Sequence, residues 1–82
     1  MIRLKSVAAN QTELKIDDDT MVFFSYSTPV AYHVSGDLPK VTDTKFSQTT
    51  TKHIRQWLNR HGFGNTMPVS QETIESVLIS RA

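Results

Sequence analysis

The apolar residues of this chain change period once, near Ser47, and that change restricts its fold more than any other feature. Before it, apolar and polar residues alternate, the spacing of half-buried strands. After it, apolar residues recur every three or four positions, the spacing of helices packed on one side. A chain of 82 residues with no cysteine has no disulfide framework and no room for a second core. The expected architecture is therefore α+β in a single domain, 1–82. A small antiparallel β-meander of three to five strands fills 1–44, and helices at 47–61 and 70–80 pack on one face of it.

Within the first half, Ile2 and Leu4 alternate with Arg3 and Lys5 in a strand reaching Val7. Leu14 and Ile16 mark a second strand, and Asp17-Asp18-Asp19 ends it in a solvated acidic turn. Thr20 to Tyr26 is the strongest strand. Val22, Phe24 and Tyr26 fall on one face, Met21 and Phe23 on the other. Apolar residues on both faces suit a central strand covered on both sides, or one face used for association. Ser27-Thr28-Pro29 is read as a turn into Val30–Val34, and Lys40–Thr44 as a polar edge strand whose lysine discourages pairing with another chain.

In the second half, Ile54, Trp57 and Leu58 form an apolar stripe, with Thr50 and His61 on the same face. Ser47 suits the N-cap and Gly62 the left-handed position after the last turn. Phe63 and Met67 are expected to tuck against the core from the connector. Ser70 then caps a helix whose Ile74, Val77 and Leu78 are buried. Glu72 and Arg81 suit the two ends of its dipole.

Most specialised chemistry lacks its signature. The longest apolar run, Met21 to Phe24, cannot span a bilayer, and the alternating N-terminus predicts a cytosolic protein without a signal peptide. His53 and His61 stand eight residues apart, too far to chelate one ion on a helix, so no metal or other cofactor is expected. An EF-hand starting at Asp17 fails at Val22 and Thr28. No G-x-S-x-G, Ser-x-x-Lys or phosphate-binding glycine loop is present, and the chain is read as non-enzymatic.

Two surfaces invite a partner. Nine Lys+Arg against eight Asp+Glu give no strong bulk field. Yet the segment 45–60 carries Lys45, Lys52, Arg55 and Arg60 with no acidic residue, a candidate nucleic-acid face. Trp57 lies on the apolar stripe and is read as core, not as a base-stacking platform. Met21, Phe23 and Ile79 have no evident place in a monomer core and form the candidate interface for a protein partner or a second copy.

Phe24-Ser25-Tyr26-Ser27-Thr28-Pro29-Val30-Ala31 and Lys45-Phe46-Ser47-Gln48-Thr49-Thr50-Thr51-Lys52-His53-Ile54-Arg55-Gln56-Trp57-Leu58 resemble a family of short uncharacterised proteins of bacteriophages and bacteria. The likeness runs from Leu14 to Leu58. The loop Ser35 to Lys40 departs from the pattern, lacking the glycine-rich, aromatic turn of relatives, and the tail after Gly62 lies outside it. The resemblance implies a phage-type accessory protein acting in the cytoplasm of a bacterial host, and it supplies no catalytic residues. The leading expectation is a non-enzymatic protein that binds a host or phage protein, with a homodimer as one form. Weak nucleic-acid binding through 45–60 is the alternative, and no membrane is involved.

Overall fold

The computed structural model describes residues 3–81, with side chains for 4–79. Ile2, predicted to open the first strand, and the Arg81 side chain, predicted to face a helix end, lie outside the described residues. The elements run β1 (Arg3–Ala8), β2 (Gln11–Lys15), β3 (Thr20–Ser25), β4 (Thr28–Val34), β5 (Lys40–Thr42), α1 (Gln48–His61), β6 (Met67–Val69) and α2 (Gln71–Arg81). Among the described residues the strands form one sheet in sequence order, β1 to β6. The first five are an antiparallel meander; β6 joins β5 in parallel, with Val41 opposite Pro68. The α+β class therefore stands, with six strands where three to five were expected.

Two tight turns differ in detail from the sequence reading. Gln11 pairs with Ala8 and Ser25 with Thr28, so the hairpin turns are Ala9-Asn10 and Tyr26-Ser27. Asn10, second in its turn, and Tyr26, first in its turn, adopt positive φ, at 61° and 58°. The Tyr26 N–H donates to Asn10 O at 2.7 Å, tying the two tips together. Thr28 and Pro29 belong to β4 and not to the turn. The ladder tolerates Pro29 because the pairing slips between Phe23 and Phe24, and β5 reaches only Ala31 and Tyr32.

The core has two halves, one on each side of the sheet. Phe23, Val30, Ala31 and Trp57 pack together, joined by Met21, Val41, Ile54, Leu58 and Phe63. Ile16, Val22 and Val77 form the second cluster with Leu14, Phe24, Tyr32 and Leu78. Val22 and Phe23 are consecutive in a strand and so point to opposite faces. Thus α1 covers one face and α2 the other, rather than both sharing one. The apolar residues on both faces of β3 are those of a covered central strand.

Both helices are capped as their sequences dictate. Thr50 N donates to Ser47 Oγ at 3.1 Å, and Gly62 takes φ 71° while its N–H reaches Asn59 O. Thr73 N donates to Ser70 Oγ at 3.2 Å. The acidic turn closes as an Asx turn, with Asp17 Oδ1 accepting from the N–H groups of Asp19 and Thr20. The loop after β4 is held by Asp37, whose carboxylate accepts from Lys40 Nζ at 2.9 Å and from Leu38 N at 2.8 Å. The Lys40 hydrogen bond, then that of Leu38, lowers the Asp37 pKa from the usual carboxylate value. Phe63 packs on Trp57 as predicted, but Met67 lies in β6 and is exposed. Lys40 does not guard a free edge, because β6 covers that side of β5. Among the described residues no helix is long and apolar enough to cross a membrane.

Candidate functional site

The α1 stripe sets the geometry. Trp57 is fully buried and stacks on Phe23, ring centroids 5.2 Å apart and 13° from parallel. Phe23 is 0% exposed, which removes it from the candidate partner interface. An aromatic in the middle strand is what an indole on the facing helix packs against. Met21 is half-buried and packs against the same cluster, so it is no protruding contact either. Ile79 alone of the three stands out, 84% exposed on the outer side of α2.

Toward its N-terminus α1 meets the β3–β4 turn through a buried polar network. Ser25 Oγ lies 2.7 Å from His53 Nδ1 and donates to Thr50 Oγ1 at 3.3 Å. Ser47 Oγ also donates to Thr50 Oγ1, at 3.3 Å, and the Tyr26 ring packs on the His53 imidazole at 5.6 Å. A serine and a histidine at this distance also describe a nucleophile and its base. Here Ser25 is only 2% exposed, and no substrate carbonyl reaches its Oγ while the turn is closed. The network instead gives physical content to the two motifs: Phe24-Ser25-Tyr26 and the run Ser47 to Trp57 are the two sides of one joint. His53, 7% exposed, is buried in it.

The other flank of α1 is fastened to β2. Gln11 Nε2 donates to Gln56 Oε1 at 2.8 Å, Arg60 Nη2 donates to Gln11 Oε1 at 3.3 Å, and His61 Nε2 meets Glu13 Oε2 at 2.5 Å. Arg60 is thereby separated from the other three candidate cations. His53 bonds Ser25 apart from the other two histidines, while His33 and His61, the latter bonded to Glu13, both pack on Phe63 at 4.5 and 5.5 Å; among the described residues no group of histidines and carboxylates is arranged to hold a metal ion.

Lys45, Lys52 and Arg55 do converge. They line one open groove of about 840 Å³ at the start of α1, together with Phe46, Ser47, Gln48 and Thr51. Lys52 and Arg55 share a helix face at i, i+3, and Lys45 approaches from the segment before the cap. No carboxylate lines the groove, and none of the three cations forms an ion pair among the described residues. Phe46 is 46% exposed at the groove wall. Sequence reasoning passed over it because a lone aromatic between a strand and a helix belongs to neither period. A second cleft of about 560 Å³ lies over the uncovered part of the α1-side sheet face. Lys5, Lys15, Glu13, Asp18 and Asp19 line it around Met21 and His33, a mixed-charge surface that favours neither sign.

No curated protein and no solved structure matches this chain. The profile of one family, described as a family of unknown function, matches residues 2–76, from the first strand into α2. The match therefore runs well beyond Leu14 to Leu58 and takes in the sheet, α1 and β6, including the divergent loop Ser35 to Lys40 and the tail as far as Ser76. On that coverage, the chain belongs to the family of unknown function DUF8033.

Proposed function

We propose that this protein is a small, non-enzymatic accessory protein that binds nucleic acid weakly through the groove at the start of α1. The observation that carries the reading is the meeting of Lys45, Lys52 and Arg55 in one open groove without a carboxylate or an ion-pair partner. Unpaired cations sharing a groove gain most from a ligand with closely spaced negative charges, because phosphate neutralisation releases condensed counterions. With three contacts, the dependence of log K on log salt has a slope of about −2.7 on duplex DNA. In this reading the protein is of phage or bacterial origin and acts in the cytoplasm of a bacterial host.

Anisotropy of labelled oligonucleotides at low and moderate salt tests it. Binding at micromolar protein and low salt, weakened by moderate salt and lost in Lys52→Glu/Arg55→Glu, is the expected result. No change in anisotropy for the native protein at low salt overturns it. A second reading, engagement of a host or phage protein or of a second copy, is supported by the exposure of Ile79 on α2.

A further inference from the structure

Resting on the reading of the groove as a nucleic-acid interface, we propose that its ligand is single-stranded, with an unpaired base stacked on Phe46 and neighbouring phosphates held by Lys45, Lys52 and Arg55. Phe46 directly precedes the N-cap Ser47 and shares a groove with all three cations. An exposed phenyl ring among cations has most to offer a planar group that arrives beside a negative charge. A nucleotide is such a group, and its base has a free face only when it is unstacked. In a duplex the bases already stack on one another, leaving Phe46 no face to meet.

The layout of charge points the same way. Arg60 is bonded to Gln11, so the unpaired cations on α1 end at Arg55. The helix from Gln48 to Arg55 rises only about 11 Å. Gln56, which would extend a base-reading face along the helix, is bonded to Gln11 as well. What remains is a short basic track beside one aromatic ring, a footprint for a single strand of a few nucleotides. An acidic peptide would meet the cations but leave the ring without a planar partner.

The full chain is titrated by anisotropy into a labelled oligothymidylate of about twelve nucleotides, a duplex of equal length and a polyglutamate peptide. The native protein should bind the single strand most tightly, with a salt slope near −2 for three phosphates. Phe46→Ala should lose about fivefold or more in affinity for the single strand and leave duplex binding unchanged. Phe46→Trp should retain single-strand binding, with indole emission quenched on stacking. Because Phe46 is half in solvent, circular dichroism of both variants should match the native protein. Equal binding of single strand and duplex with no effect of Phe46→Ala overturns the single-strand inference and leaves the charge reading intact. Equal or tighter binding of polyglutamate overturns it in favour of an acidic protein partner. No binding of any of the three overturns both.

Discussion

Replacing His53 by alanine would leave the Ser25 hydroxyl without its imidazole partner and open a hole beneath Tyr26. The hydroxyl keeps its bond to Thr50, so His53→Ala should cost the lost hydrogen bond, about 0.5–1.5 kcal/mol, plus the lost packing under Tyr26, read as a lower stability in urea denaturation. Ser25→Ala should cost some of the same energy. In a double-mutant cycle the two losses should therefore fall short of additive, with a coupling of about 0.5–3 kcal/mol. Full additivity would mean that the contact does not tie helix to hairpin. The joint was half legible in the chain. Ser47 and Trp57 carried strong positional signals, a cap and a stripe. His53 did not, because its partner lies in β3, and nothing in a helical period identifies a residue 28 positions away. The spacing of Thr50, His53 and Trp57, i, i+3, i+7, was the one available hint, a polar extension of the apolar stripe. Phe23 misled for the opposite reason. A strand covered on both faces looks the same in sequence as a strand with one sticky face.

Among the elements, α1 depends on its ends as much as on its stripe. Gly62 closes the helix at φ 71°, and a Cβ added there meets nothing within 4 Å. The cost of Gly62→Ala is then purely that of holding an L-residue in the left-handed region. We expect a loss of about 1–2 kcal/mol by chemical denaturation, with no change in the circular dichroism of the folded state. A loss well below that range would mean the turn relaxes without Gly62. Strands β1 to β5 and both helices were readable because each carries its own period or turn chemistry. Strand β6 was not readable. Three residues with a proline in the middle, Met67-Pro68-Val69, have no local claim to be a strand. They become one because Met67 N finds Pro39 O at 2.9 Å, and the missing Pro68 N–H costs nothing on the sheet's outer edge.

At the scale of the whole molecule, one helix on each side of the sheet buries apolar residues of both faces, while Leu4, 72% exposed, and Tyr26, 53% exposed, line an open groove with Thr12 and Phe24. Ile79→Glu tests the remaining partner surface. If α2 carries an interface, the substitution should reduce the mass seen by light scattering, or the recovery of a protein partner, while leaving the thermal midpoint within a few degrees of native. Unchanged association would remove α2 from consideration. The antiparallel meander was legible because its turns are short. The placement of the helices on opposite faces was not, since handedness and crossover are properties of the assembled sheet. The parallel pairing of β6 with β5 also governs the order in which the molecule can be built. Each hairpin of the meander closes locally and can form as soon as its own residues leave the ribosome. β6 cannot, because α1 must first cross the sheet and bring residues 67–69 alongside β5. Until then the nascent sheet ends in an open ladder at β5. That interval, set by the time needed to synthesise and dock one helix, is when the chain is most exposed to pairing with a neighbour.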